Sequence, residues 1–377
     1  MNQTVTEKLA QVEKEIAKVQ RKLKEIGQGA YGEWADGGNG MQSNLKKQLD
    51  NLITTSKSIA IVTHIRPDHD AICSALALYY YLTKKNITNT VRIMVEGDKN
   101  TTWNELENSD KIEWVDDLST RLEKRDLLIL TDTNSWDRAT KNSKDIAKHP
   151  GKKMCLDHHE TEGNDRFYIK HVDKTAAAAT QIIAEELLGN LENTPKGILE
   201  TLLLGIIGDT GKFSFITGKN ARVLGTAQKI IEAGNLTVEE ISLKFGKIQP
   251  QELELTAQLL KNTRFAKIEG KPNIMYSFLE KSILEMDPIV VQNAYHGFLG
   301  NYVRRVDSYP WGFVVIPVGR GEYKVSLRAI NGGPSVLPTA EYFGGGGHTP
   351  AAACSIKAEN KTPLEICEKV IQQMKNC

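Results

Sequence analysis

From about residue 51 the chain alternates short apolar runs with longer amphipathic stretches, and several of the runs end in aspartate or histidine. The runs at residues 59–63, 91–95, 127–131 and 153–156 have the length and composition of buried strands. A helical pattern at 71–82 lies between the first two, and further helical patterns are expected at 175–188, 196–207 and 220–233. Strands alternating with helices imply βαβ units, hence an α/β fold with a mainly parallel sheet and helices on its faces. His64, Asp68 and Asp70 follow the first run, Asp132 ends the third, and Asp157, His158 and His159 end the fourth. Asp209 follows the apolar helix 196–207. Open α/β sheets bind ligands at the carboxyl ends of their strands, so these residues are expected to meet at one sheet edge.

Their chemistry points to metal. His64, Asp68 and Asp132 make one candidate ligand set, and Asp70, His158 and Asp209 a second, with Asp132 bridging. Carboxylates and imidazoles without thiolates suit two Mn²⁺ ions per site, with Fe, Zn and Co as rivals. Two such ions activate water and stabilise the oxygens of an in-line displacement at phosphorus. Taken singly, each aspartate has the plainer reading of a helix cap or turn residue; their joint placement carries the metal reading. His149 and His171 lack that context and read as surface or structural residues. His69, between two candidate ligands, is expected to point away from the metals.

The rest of the chain divides by pattern. Residues 1–26 carry an apolar stripe (Val5, Leu9, Val12, Ile16, Val19, Leu23, Ile26) at alternating steps of four and three. That stripe fits either a coiled coil that pairs two copies or an amphipathic helix folded on its own domain. Residues 27–50 read as a glycine-rich linker and lead-in helix, 51–235 as the catalytic domain, 236–262 as a polar connecting helix, and 263–377 as a smaller C-terminal α/β domain. In the last, strands are expected at 274–278, 313–318 and 323–329, with a turn at 319–321. Arg328 ends a strand-like segment and offers a bidentate fork for phosphate. Gly344, Gly345, Gly346, Gly347 and His348 precede the small-residue stretch 351–353, read as a helix start whose N-terminus favours an anion.

Bulk properties narrow the substrate. With 48 basic and 47 acidic residues the net charge is +1, which argues against coating long duplex DNA and fits a compact substrate held by local charges. The five cysteines show no C-x-x-C spacing, so no zinc ribbon, redox motif or disulfide framework is expected. A polar N-terminus and the lack of a spanning apolar run lead to an expected cytoplasmic location without membrane contact.

Thr63-His-Ile-Arg-Pro-Asp-His-Asp70, Thr131-Asp132, Asp157-His-His159, Gly208-Asp-Thr-Gly211 and Gly344-Gly-Gly-Gly-His348 resemble the ordered motifs of the DHH phosphoesterase family. The C-terminal part resembles the family's associated substrate-binding domain, and the combination is most similar to the nanoRNase and pAp phosphatase branch. The resemblance implies a dinuclear manganese site with the ligands above and catalytic roles for Asp132, Asp157, His158 and His159. Asp157 would support the site and His159 lie near the scissile phosphate. It also implies substrate contacts from His159, Arg328, residues 345–347 and His348, with the active site in the cleft between the domains. His69 and Cys73 stand where the family commonly has glycine, and Cys354 where it often does; none removes a ligand. The expected function is hydrolysis of short oligonucleotides to mononucleotides, with 3′-phosphate removal from pAp. The alternatives are hydrolysis of cyclic or linear dinucleotides, and an inactive nucleotide-binding scaffold.

Overall fold

The computed structural model describes residues 44–85, 90–99, 101–160, 163, 165–280, 283, 286–330 and 332–376. The N-terminal stripe and most of the glycine-rich linker lie outside the described residues. The chain divides into two compact units between Phe245 and Gly246.

The first unit is an α/β sandwich. Its strands are β1 (Ser58–Val62), β2 (Thr90–Glu96), β3 (Ile112–Val115), β4 (Leu127–Thr131), β5 (Lys152–Asp157) and β6 (Ile169–Val172). They form one sheet in the order β3-β2-β1-β4-β5-β6, and every pairing is parallel. The central strands are buried on both faces because helices cover both. Ile59 and Ile61 face one core with the helices His69–Thr83 and Lys196–Asp209, while Ala60 and Val62 face the other with the helices Leu118–Leu122 and Ser143–Lys148. The strand order reverses between β1 and β4, so the chains leaving these neighbours diverge to opposite faces. Such a switch point leaves a crevice at the carboxyl edge.

Two expectations shift here. The helix expected at 175–188 begins at Ala179 and continues from Ile183 to Leu188 as a π-helical turn. The polar helix expected across 236–262 is two helices, Val238–Phe245 and Pro250–Lys261. Pro250 has no N–H to continue an earlier helix and suits a first turn. Ile241 and Phe245 bury in the first unit's core, whereas Leu255 and Leu259 bury in the second's.

The second unit is built on a mixed sheet. Its strands are β7 (Arg264–Ile268), β8 (Lys271–Phe278), β9 (Trp311–Gly319), β10 (Glu322–Ala329), β11 (Gly346–His348) and β12 (Ala351–Lys357), in the order β11-β12-β10-β9-β8-β7. Only β8 and β9 pair in parallel. The helix Pro363–Asn376 packs on one face and the helix Pro288–Phe298 on the other.

Residues 351–353 are therefore not a helix start. They open β12, where Ala352, Cys354 and Ile356 face the core and Ala351, Ala353 and Ser355 do not. That period of two belongs to a strand. Three adjacent alanines carry helix propensity, but tertiary packing of alternate residues overrides it.

Candidate metal centre

The carboxyl edge of the first unit's sheet brings six of the expected ligands together. Asp132 is the hub. It follows β4 with φ +59°, a left-handed conformation that aspartate tolerates better than most residues. Its N–H bonds Leu156 O at 3.0 Å, so the turn is tied to β5. Its two carboxylate oxygens face different histidines: Oδ2 lies 3.4 Å from His64 Nε2, and Oδ1 lies 3.3 Å from His158 Nε2. His158 Nε2 is also 3.0 Å from Asp209 Oδ2 and 3.9 Å from Asp70 Oδ2. His64 Nε2 is 3.9 Å from Asp68 Oδ2. The possible ligand atoms of His64, Asp68 and Asp132 form one close group, and those of Asp70, Asp132, His158 and Asp209 another.

Local structure explains how each side chain is aimed. Asp68 is the N-cap of the helix His69–Thr83: one oxygen accepts from Ala71 N at 3.0 Å while the other faces His64. The cap reading and the ligand reading thus describe one residue. His64 Nδ1 pairs with Ile65 O at 3.0 Å, which turns Nε2 inward. Asp70 is fully buried and accepts hydrogen bonds from Ala179 N, Thr180 N and Thr180 Oγ1. The two backbone donors are the first N–H groups of the helix starting at Ala179, which fixes where it begins. A Cβ on Gly205 would come within 2.9 Å of Asp70 Oδ1 and closer still to Thr180, so glycine is required where the helix Lys196–Asp209 crosses this contact.

Electrostatics set the sign of what the site accepts. Burial, with Asp132 and Asp209 nearby, pushes the Asp70 carboxyl well above the ordinary range. Burial would lower the His158 pKa, but Asp132 and Asp209 outweigh it and push it up to about 11. Burial works against the Asp132 carboxylate too, yet His158 and His64 hold it far below the usual range. His64 Nε2, His158 Nε2 and Asp132 Oδ1 are buried without a well-formed hydrogen bond among the described residues. Orphaned polar atoms of this kind cost roughly 1–3 kcal/mol each. Several converging carboxylates with histidine nitrogens aimed inward fit divalent cations, which offset both the charge and the missing partners.

Asp157 and His159 form a second tier. Asp157 is buried; Oδ1 pairs with His159 Nδ1 at 2.8 Å, and Oδ2 accepts from Asn134 Nδ2. Asn134 Oδ1 accepts in turn from Gly163 N. His159 Nδ1 is 3.9 Å from Asp132 Oδ1. Asn134, Thr180 and Gly205 were not among the residues expected from sequence. Asn134 alone leaves a hint, two positions after Asp132. His69 packs edge-on to Trp103 rather than in the ligand groups. His149 bonds Leu122 O and His171 bonds Glu186.

The remaining expected residues belong to the second unit. Arg328 on β10 and His348 on β11 both pair with Ala351 of β12, so the three form one cross-strand row with side chains on the same face. Arg328 is half-buried and His348 exposed, and Ala351 between them keeps the row low. Gly345 has a packing reason of its own: a Cβ there would lie 2.1 Å from Ala353 O. Gly346 would meet nothing within 4 Å, and Gly347 takes φ +143° beside Ala351 O.

Residues 58–206 match the model of the DHH family, N-terminal domain. The chain is similar to a bifunctional oligoribonuclease and PAP phosphatase NrnA from Thermus thermophilus, 29% identical over 307 residues, covering 79% of this chain and 84% of the relative. The protein of the same name from Bacillus subtilis is 26% identical over 321 residues, covering 83% and 93%. Among solved structures, an exopolyphosphatase-related protein from Bacteroides fragilis aligns with a TM-score of 0.73 at 20% identity, covering 88% of this chain and 96% of its own. At that identity the likeness concerns the fold. No helix among the described residues is long and apolar enough to cross a membrane.

Proposed function

We propose that this chain, whose residues 58–206 match the N-terminal domain of the DHH family, is a two-metal phosphoesterase that hydrolyses short oligonucleotides to mononucleotides and removes the 3′-phosphate of pAp. The observation that carries this reading is the Asp132 carboxylate, whose two oxygens face His64 and His158 and so belong to both ligand groups. The relatives' names, oligoribonuclease and PAP phosphatase, support the substrate class. His64, Asp68 and Asp132 would hold one ion, and Asp70, His158, Asp209 and Asp132 the other; the thiolate-free carboxylate and imidazole donor set suits Mn²⁺, with Fe, Zn and Co as rivals. Bound there, the ions supply an acidified water and charge stabilisation at phosphorus.

The chain's own residues do the rest. Asp157 holds the His159 ring through Nδ1, which turns Nε2 outward, where in its protonated state it donates to a phosphoryl oxygen. Thr180 and the Ala179 N–H hold Asp70 in place. Arg328 and His348, in one row on the second unit, bind a further phosphate of the substrate, with Ala351 leaving room between them.

A product-resolved assay with Mn²⁺ tests the reading on labelled short RNA and DNA, pAp, and cyclic and linear dinucleotides. Stepwise release of mononucleotides from short oligomers, with phosphate released from pAp, is the expected result. Turnover confined to cyclic or linear dinucleotides would replace it with breakdown of signalling nucleotides. Binding without turnover of any of them would replace it with a nucleotide-binding scaffold.

A further inference from the structure

One face of the second unit's sheet gathers positive charge without carboxylates to match it. Along β10, Tyr323, Val325 and Leu327 point into the core under the helix Pro363–Asn376, so Lys324, Ser326 and Arg328 point the other way. Val314 and Ile316, the β9 partners of Ser326 and Lys324, lie in the core under the helix Pro288–Phe298, which identifies that face. A third cation comes from the turn after that helix. Gly312 pairs with Arg328, and a Cβ on Gly312 would come within 2.9 Å of Val303 Cγ1, so the next residue, Arg304, stands beside Arg328. Burial and the Arg304 charge hold the Arg328 guanidinium below its ordinary pKa.

The contacts these cations do make are to neutral groups. Lys324 Nζ donates to the Tyr295 hydroxyl at 2.7 Å and lies 5.1 Å from that ring's centroid. Arg328 Nη1 donates to Leu327 O at 2.9 Å. Glu322 is the acidic neighbour on the same strand face, and neither it nor any other described carboxylate forms an ion pair with Arg304, Lys324 or Arg328. Beside the cations the sheet is low. Ala351, Ala353 and Ser355 oppose Arg328, Ser326 and Lys324, and Gly346 opposes Ala353. Ala351 and Ala353 are half-buried and Ser355 and Gly346 exposed, so a ligand can reach them. Like charges held together repel, and a bound anion offsets the repulsion. Arginine forks and a lysine ammonium both suit phosphate. Lys324 and Arg328 are four residues apart on one strand, about 13 Å between Cα atoms, which suits two phosphates better than one.

We propose that this face binds two phosphates of one short strand. Arg328, flanked by Arg304 and His348, holds one, and Lys324, positioned by the Tyr295 hydroxyl, holds the other. The inference rests on the reading of the substrate as a short oligonucleotide and adds a count of phosphates to it. Beyond the phosphate that is removed, pAp has one more and fills one position. A trinucleotide with a 5′-phosphate has two beyond the one attacked and fills both, so it is the preferred substrate.

The test uses the full chain and two readouts. With Mn²⁺, kcat/KM is measured for the 5′-phosphorylated trinucleotide of adenosine and for pAp. Lys324→Gln should lower the trinucleotide-to-pAp ratio by roughly tenfold, the scale of one charge-assisted hydrogen bond; Lys324→Arg should retain it. Arg304→Gln should lower kcat/KM for both substrates. With metal withheld so that the strand stays intact, binding of the labelled trinucleotide is followed by anisotropy across salt concentrations. The slope of log affinity against log salt should become shallower by about 0.7 for each cation removed. Wild type should show the same loss with a trinucleotide in which one linkage is an uncharged methylphosphonate, a comparison that stands even where a variant fails to fold. Unchanged slopes, or equal losses on pAp and trinucleotide in Lys324→Gln, overturn the two-phosphate face. Failure of wild type to cleave either substrate overturns the proposed function instead, and the salt slopes still decide the face.

Discussion

His159 Nδ1 lies 2.8 Å from Oδ1 of Asp157, and that contact determines which ring nitrogen faces outward. Burial opposes ionisation of Asp157, but His159 holds its carboxyl below the usual range. An ionised carboxylate only accepts, so Nδ1 carries the proton and Nε2 is the nitrogen available for the substrate contact proposed for His159. The pair is steadied by Asn134, which donates to the other Asp157 oxygen.

Asn134→Ala should therefore act on turnover. Orienting partners of this kind are typically worth about 10–100-fold in activity or metal affinity. The expected result is a fall in kcat of that order with KM and metal content near wild type, measured by steady-state kinetics and elemental analysis. An unchanged kcat would show that Asp157 is held well enough by its surroundings.

Asp132→Asn keeps a side chain that tolerates the φ of +59° and removes the shared negative charge. Adding Mn²⁺ to metal-stripped wild type should raise Tm, since a ligand that binds only the folded state stabilises it. In the variant that rise should be lost and hydrolysis should fall below detection. A full Tm gain with two ions bound would remove Asp132 from its bridging role.

Gly345 and Gly346 separate packing from binding. A Cβ at Gly345 runs into Ala353 O and Cys354, whereas one at Gly346 meets nothing within 4 Å. Gly345→Ala should lower stability by roughly 1–3 kcal/mol, the usual range for overpacking. Gly346→Ala should leave Tm unchanged, so a raised KM in that variant would report ligand contact directly.

Glu96, at the end of β2, is buried and accepts from Leu118 N at 3.0 Å, Thr140 Oγ1 at 2.6 Å and Lys141 N at 3.0 Å. Glu96→Ala strands three donors, and leaving even some of them unpaired costs about 3 kcal/mol. Urea denaturation should show the loss as a lower midpoint, with metal binding retained in the folded protein.

Arg222 joins Asp173 and Glu185 at the start of the helix Val223–Gly234. Burial opposes it, but Arg222 and Thr175 hold the Asp173 carboxyl below the usual range. A depressed folded pKa stabilises above the unfolded value of about 3.9 and is lost as pH falls through the folded one. Arg222→Ala should thus be less stable at neutral pH by about 1 kcal/mol, a figure kept small by solvent screening. The difference should shrink below about pH 4, as Tm measured across pH would show.

The parts of the molecule legible in the sequence are those with local signals. Strands β1, β2, β4 and β5 are continuous apolar runs because helices bury both their faces, and aspartates or histidines follow three of them. Those signals named the residues that gather at the sheet edge and the parallel sheet that carries them. Strands β3 and β6 were not visible, because they are short edge strands whose Glu113, Lys170 and His171 break the apolar pattern. The start of strand β12 carries a helix signal in the sequence, because its alanines favour a helix until alternate ones are packed. Only the tertiary structure decided that the strand order reverses between β1 and β4, that Thr180 holds Asp70 from 110 residues away, and that each Asp132 oxygen faces its own histidine. Residue type and periodicity are properties of neighbours along the chain, whereas these contacts join segments far apart in it and exist only once both cores have packed.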